Sequence, residues 1–336
     1  MPREKLFCRL RNNLRQGENS MPNICVVGSV NMDLINRVGH HPLAGQTVRA
    51  TATDYAPGGK GANQAVAAAR ASKDGKSFLV GAVGSDSWGL QLFTSLQASG
   101  VDTRGLVTLE GDTGLAVVTV DAAGENTIVV VPGANALVTR QHIETMAKLF
   151  VQCDALVLQN EIPREVTLRA MELAQQNGVW VLWNPSPLEN VDEELLKLTD
   201  LLVVNQTEAA YFVNHPVADV AEGEAAAQAL CQQGPAVVVV TLGVKGVAYA
   251  DVFGNAETVP AFSVPVIDTT GAGDTFVGAF AVAQMEGRPD ALRFAAAAAA
   301  LTVTRPGAQA AIPTRQETEH LLKTGGLPDR QGEQGW

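Results

Sequence analysis

The chain has 336 residues, 46% of them hydrophobic and 18% charged, which suits a soluble fold with a sizeable core and excludes a disordered chain. Its formal charge of −11 argues against a general nucleic-acid binder, which needs a basic face, and no apolar run approaches the ~20 residues that cross a bilayer. Cys8, Cys25, Cys153 and Cys231 form no CxxC pair, and the histidines show no metal spacing, so neither a zinc site nor a disulfide framework is expected; a reducing cytoplasm is the default.

Residues 1–21 carry Arg3, Lys5, Arg9, Arg11 and Arg15 without a secretory apolar core, and read as a loosely ordered leader. From there, short runs rich in Val, Ile and Leu alternate with helix-like segments. The runs are Ile24–Val30, Phe78–Val83, Ala155–Gln159, Val179–Trp183, Leu201–Val204 and Val237–Thr241, each reading as a strand buried on both faces. Between them, Ala62–Ala71, Leu90–Ser99, Arg140–Phe150, Glu165–Asn177 and Glu224–Gln233 read as helices. This alternation predicts a three-layer α/β/α sandwich around a mostly parallel sheet, with residues 22–325 as one domain and 326–336 as a frayed tail. Two stretches break the pattern. Leu34–Pro57 is polar and turn-rich, and Thr113–Val131 reads as a hairpin turning at 121–124, so together they predict a small accessory sheet placed as a lid.

Three sets of residues carry chemistry. Asp268-Thr269-Thr270-Gly271-Ala272-Gly273-Asp274 leads into the helical run Thr275–Met285. Small residues before a helix leave backbone N–H groups uncovered, which favours an anion there. Asp274 at that start has the plainer role of an N-cap, but capping alone does not call for Gly271 and Gly273. The second set is Gly58-Gly59-Lys60-Gly61-Ala62-Asn63-Gln64. Its glycines permit close approach of a ligand, though Gly61 after Lys60 rules out a Walker A loop. The third set gathers at strand ends, where ligands bind in open α/β sheets: Asn31, Asp33, Glu161, Asn205, Glu208, Thr241, Gly243 and Gly246. Each is weak alone, since caps and turns explain most such residues.

From about Ile24 to Pro313 these residues resemble the ribokinase (PfkB) family of sugar kinases, whose two glycine signatures match the 58–63 and 268–274 segments. The resemblance implies ATP-dependent phosphorylation of the 5-hydroxyl of ribose, with deoxyribose, fructose and nucleosides as alternative acceptors. It implies that Asp274 is the catalytic base, with Gly271, Ala272 and Gly273 presenting amides to the transferred phosphoryl group. Asn31, Asp33, Gly59, Lys60, Asn63 and Glu161 would hold the sugar. Asn205, Thr241, Gly243 and Gly246 would contact ATP, with Glu208 acting on Mg²⁺ through water. A monovalent cation, usually K⁺, would sit near Asp268, Thr270, Thr302, Arg305 and Gly307, partly on backbone carbonyls. The lid would also join two copies into a homodimer. Three positions depart from the family's usual pattern: Met32 beside the sugar residues, Ala296 near the adenine, and Ala311 at the cation site.

Overall fold

The computed structural model describes residues 21–189 and 191–328. The basic leader with its Cys8, and the end of the polar tail, lie outside them. In chain order the strands are β1 (Ile24–Val27), β2 (Asn31–Val38), β3 (Ala50–Gly58), β4 (Ser77–Gly84), β5 (Val101–Leu109), β6 (Gly114–Val120) and β7 (Asn126–Val131). They continue as β8 (Ala155–Leu158), β9 (Trp180–Trp183), β10 (Leu201–Asn205), β11 (Val237–Thr241), β12 (Val247–Asp251) and β13 (Ala256–Val259). The helices are α1 (Lys60–Ala71), α2 (Ser87–Ala98), α3 (Arg140–Thr145), α4 (Ala147–Phe150), α5 (Arg164–Asn177) and α6 (Glu193–Leu198). After them come α7 (Gln206–Val213), α8 (Val220–Cys231), α9 (Ala272–Met285), α10 (Ala291–Thr302) and α11 (Arg315–Thr324).

Unbroken Val, Leu and Ile runs can expose neither face to water, so the sheet they form takes helices on both sides. Its order is β13-β12-β11-β10-β9-β8-β1-β4-β5. Pairing is parallel from β11 through β5 and antiparallel only at β11–β12 and β12–β13. Along β1 the side chains alternate. Ile24 and Val26 pack with Ala65, Phe276 and Phe294, whereas Cys25 and Val27 pack on the opposite face with Met171 and Leu230. The three expected layers therefore form. The two stretches that break the alternation fold into a second sheet, β3-β2-β6-β7, in which β6 and β7 close the expected hairpin.

Three boundaries differ from expectation. The run read as one strand to Val30 stops at Val27, because the next residue admits no side chain: a Cβ on Gly28 would lie 2.0 Å from Gln159 Oε1 and 2.8 Å from Gly61 Cα. The chain changes sheets there, so Asn31 and Asp33 stand in strand β2 of the second sheet rather than in a loop beyond β1. The helix expected over Arg140–Phe150 is interrupted at Met146. Finally β5 and β13, at the two edges of the sheet, have mixed polar sequences that do not read as buried strands, since an edge is partly solvated.

Candidate active site

The polar residues collect where the carboxyl ends of the parallel strands meet the starts of α1, α7 and α9. Gly59, with φ +88°, is the N-cap of α1, and a Cβ there would lie 2.7 Å from the Asn31 backbone nitrogen. Only glycine allows that approach. It brings the start of α1 against β2, and Asp33 and Lys60 both lie near Glu161 and Asp274. Gly61 presses on Gly28 in the same way, its Cβ position 2.5 Å from the Gly28 carbonyl carbon.

Asp274 is buried in the first turn of α9, 8% exposed, and both of its oxygens accept amide N–H bonds. Asn63 Nδ2 donates to Oδ2 at 2.9 Å and Gln64 Nε2 to Oδ1 at 3.0 Å. Glu161, beyond β8, accepts from the Ser29 hydroxyl and, at 3.1 Å, from the Lys60 backbone N–H. Burial lowers the affinity of the Lys60 ammonium for its proton, but the nearby carboxylates of Asp274, Glu161 and Glu208 outweigh it and hold its pKa above the ordinary value. Asp33 responds in the opposite sense to a carboxylate near cations: burial, then the charges of Glu161 and Asp274, push it up to about 7. Its carboxylate lies directly over Gly58, where a Cβ would meet Oδ2 at 2.2 Å.

Two cavities open beside this cluster and share Thr241, Thr269 and Gly273. The first, about 230 Å³, is lined by Lys60, Asn184, Ser186, Asn205, Glu208, Gly271 and Asp274. Asn205 and Glu208 form a capping box at the start of α7, each side chain accepting from the other's backbone N–H at 2.9 Å. Burial raises the pKa of Glu208 despite the bonds from Asn205 and Ser186. The second cavity, about 510 Å³, is mostly apolar, with Gly243, Gly246, Val247, Phe262, Phe276 and Ala296 in its walls. Gly246 needs its φ of +103°, and a Cβ there would strike the Val259 carbonyl oxygen at 2.1 Å.

Gly271 caps α9 with φ +75°, and a Cβ on Gly273 would meet nothing within 4 Å, so open space lies against the helix start. The first-turn amides have no intrahelical acceptors; that of Ala272 leans back to the Thr269 carbonyl at 3.3 Å. Asp268 accepts from the backbone N–H of Thr270 and of Gly307, both at 2.9 Å, tying the two loops together. Burial alone would raise its pKa, but these bonds carry it below the ordinary value. The Thr302 hydroxyl bonds Thr275 and the Ala298 carbonyl, and Arg305 pairs with Glu317. Both side chains are thus engaged inside the protein, and the Thr302 carbonyl accepts from the Arg305 backbone N–H at 3.2 Å.

The departures expected near the site resolve individually. Met32 points into the core with Ala62 and Leu79, away from the face of Asp33, and Ala311 is fully buried. Ala296 does line the second cavity. Sequence reading assigned nothing to Ser29, Asn135, Gln159 or Asn184, although all are buried and bonded to site residues. Asn135 Nδ2 donates to Asn31 Oδ1 at 2.7 Å, and Asn184 Oδ1 accepts from Gln64 at 3.1 Å. The available signal was a polar residue placed directly after a buried strand, at Gln159 and Asn184.

The chain matches known proteins along nearly its whole length. Residues 21–315 match the pfkB family carbohydrate kinase pattern. The chain belongs to this family of carbohydrate kinases. It is 38% identical over 303 residues to ribokinase of Haemophilus influenzae, covering 89% of this chain and 98% of that one. With ribokinase of Bacillus subtilis the identity is 40% over 306 residues, covering 90% and 100% of the two chains. The structure of Arabidopsis thaliana ribokinase complexed with ribose and ATP superposes with a TM-score of 0.83 at 32% identity, covering 90% of this chain and 99% of that one. As a family member the chain is a phosphotransferase, with the ribokinase-like fold of two sheets described above.

Proposed function

We propose that the chain transfers the γ-phosphoryl group of ATP to the 5-hydroxyl of D-ribose, giving ribose 5-phosphate and ADP. The observation that carries this reading is the position of Asp274. Its carboxylate stands between the polar face of Asn31, Asp33, Gly59, Lys60, Asn63 and Glu161 and the open, glycine-lined start of α9. The relatives at 38% and 40% identity are ribokinases, and the ribokinase of Arabidopsis thaliana, at 32%, has been seen with ribose and ATP.

In this reading the polar face holds the sugar and Asp274 orients the acceptor hydroxyl. The hydroxyl becomes acidic only as its oxygen bonds to phosphorus, so the carboxylate need take the proton only late in the step. Gly271, Ala272 and Gly273 bring backbone amides toward the equatorial oxygens, a preorganised arrangement that is worth about 3–4 kcal/mol per well-placed donor in oxyanion holes. Bound MgATP supplies the transferable phosphoryl group and the metal's charge beside it. The residues present fit it: Gly273 offers the space a phosphate needs, and Asn205 and Glu208 put one amide and one carboxylate into the first cavity, enough to act on Mg²⁺ through water. Thr241, Gly243 and Gly246 would border the rest of the nucleotide.

For K⁺ we read a site on the Asp268 and Thr270 loop and the carbonyls near Thr302, Arg305 and Gly307, where a bound cation would stiffen the loop that carries Gly271. We read residues 22–325 as one kinase domain working as a homodimer through the lid, since Ile128, Val129, Val130 and Val131 of β7 leave an apolar row exposed on it. A cytoplasmic setting fits the free thiols of Cys25, Cys153 and Cys231. No helix among the described residues is long and apolar enough to cross a membrane. The test is ADP release from MgATP with ribose, 2-deoxyribose, fructose, adenosine or no sugar, each with and without K⁺. Ribose-dependent turnover raised by K⁺ is expected; preference for another acceptor would overturn the assignment of the sugar.

A further inference from the structure

Asp274 is held by two amides of different kinds. Asn63 is slightly exposed, although its Oδ1 is itself buried and has no protein partner. Gln64 is wholly buried and lines neither cavity, yet it donates to Asp274 Oδ1 at 3.0 Å and to Asn184 Oδ1 at 3.1 Å. An amide NH₂ has two hydrogens, so both bonds form at once.

The direction of every amide in this chain follows from groups that can only accept. The Val203 carbonyl takes Asn184 Nδ2 at 3.0 Å, which turns Asn184 Oδ1 toward Gln64. The ionised carboxylate of Asp274 also accepts only. Gln64 must therefore give its NH₂ to both, so its Oε1 faces Gln159, whose Nε2 donates at 2.6 Å. The chain ends at Gln159 Oε1, which is buried without a donor and stands against Gly28. Turning over any one amide would set oxygen against oxygen or NH₂ against NH₂. Among the amides of Asn184, Gln64 and Gln159, the unpaired atom thus stands at the end farthest in bonds from Asp274, although a buried acceptor without a donor opposes folding. Gly278 makes the reach possible: a Cβ there would lie 2.5 Å from the Gln64 carbonyl oxygen, so only glycine lets α1 sit close enough to α9.

We infer that Gln159, Gln64 and Asn184 form a positioning relay that fixes the orientation of the Asp274 carboxylate through its Oδ1. None of the three is assigned a contact with the reacting atoms, and none takes up a proton. The inference rests on the reading of Asp274 as the base. Its effect is on turnover: a carboxylate free to rotate still binds beside the sugar but spends less time aligned with the hydroxyl, and misplacement of about 1 Å can cost ~10²-fold in rate.

Kinetics of ribose-dependent ADP release separate the possibilities, using wild type, Gln64→Leu, Gln159→Leu, Asp274→Asn and the double variant Gln64→Leu/Asp274→Asn. Gln64→Leu is expected to lower kcat about tenfold to a hundredfold with both KM values within about threefold, and to cost nothing further on the Asp274→Asn background. Gln159→Leu removes the unpaired Oε1 but takes the donor from Gln64 Oε1, so one buried unpaired acceptor replaces another. It is therefore expected to lower kcat about threefold to tenfold while the melting temperature changes little, whereas a purely structural role would lower the melting temperature and leave kcat unchanged. It also serves if Gln64→Leu does not fold. Unchanged kcat in Gln159→Leu, or a Gln64→Leu loss that persists undiminished without the Asp274 carboxylate, overturns the relay alone. Absence of ribose turnover in wild type, or full turnover in Asp274→Asn, overturns the parent reading and the relay with it.

Discussion

The Asp33 carboxylate lies across Gly58 so closely that a single added methyl group would stand 2.2 Å from Oδ2. The two residues are neighbours on the paired strands β2 and β3, one of them in the first glycine signature and the other in the proposed sugar site. The glycine at 58 thus has a role apart from backbone freedom: it leaves room for a side chain.

Gly58→Ala should therefore act on the sugar and not on the nucleotide. The atoms it meets are the end of a flexible side chain, which can swing away at little cost to the fold. A displaced hydrogen bond to a charged group costs ~1.5–3 kcal/mol, so the ribose KM should rise about tenfold to a hundredfold while the ATP KM and melting temperature change little. Steady-state kinetics with each substrate varied in turn check this. Equal rises in both KM values would contradict the placement of Asp33.

Asp33 also sets a pH dependence with two opposite signs. Its folded pKa of about 7 lies above the ~3.9 of an unfolded chain, so the folded state favours the proton. The stability this group confers is present in full below about pH 4 and is lost as pH rises toward about 7. Sugar binding should move the other way, because the ionised form accepts hydroxyl hydrogens. kcat/KM for ribose is expected to rise through about pH 7 in wild type, while melting temperature falls over the preceding units. Asp33→Asn should flatten both trends. Asp200, buried and pushed up to about 6, contributes to the melting curve of either protein and not to the difference between them.

Gly278→Ala tests the packing that unites the two signatures. Alanine gains up to ~1 kcal/mol of helix propensity over glycine. Its Cβ would, however, meet the Gln64 carbonyl oxygen at 2.5 Å and Ala68 N at 2.8 Å, which are backbone atoms that cannot swing aside. Overpacking of this kind costs ~1–3 kcal/mol and should win, lowering the melting temperature and kcat together. A more stable, fully active variant would show that α1 and α9 can separate freely.

The sequence disclosed what local composition controls. The Val-rich runs and their spacing gave the layered sheet, and glycines before helices at 58–61 and 271–273 marked both signatures without any knowledge of their contacts. What it concealed depends on residues brought together from far apart. The end of β1 at Val27 is decided by Gly61 and Gln159 pressing on Gly28. The bonds from Gln64 and Asn63 to Asp274 span 210 and 211 residues, and no local pattern distinguishes those amides from ordinary helix-start polar residues. Likewise Met32 appears beside the sugar residues in sequence, but strand alternation turns it into the core.

The most direct test of the central claim is the turnover of Asp274→Asn, measured with ribose and MgATP alongside calorimetric binding of each. The amide keeps the shape and some of the hydrogen bonding of the carboxylate but cannot accept the hydroxyl proton. Ribose and ATP should bind within a few-fold of wild type, while kcat falls by at least about 10²-fold. Wild-type turnover in that variant would contradict the account, because phosphoryl transfer would then need no base at the start of α9.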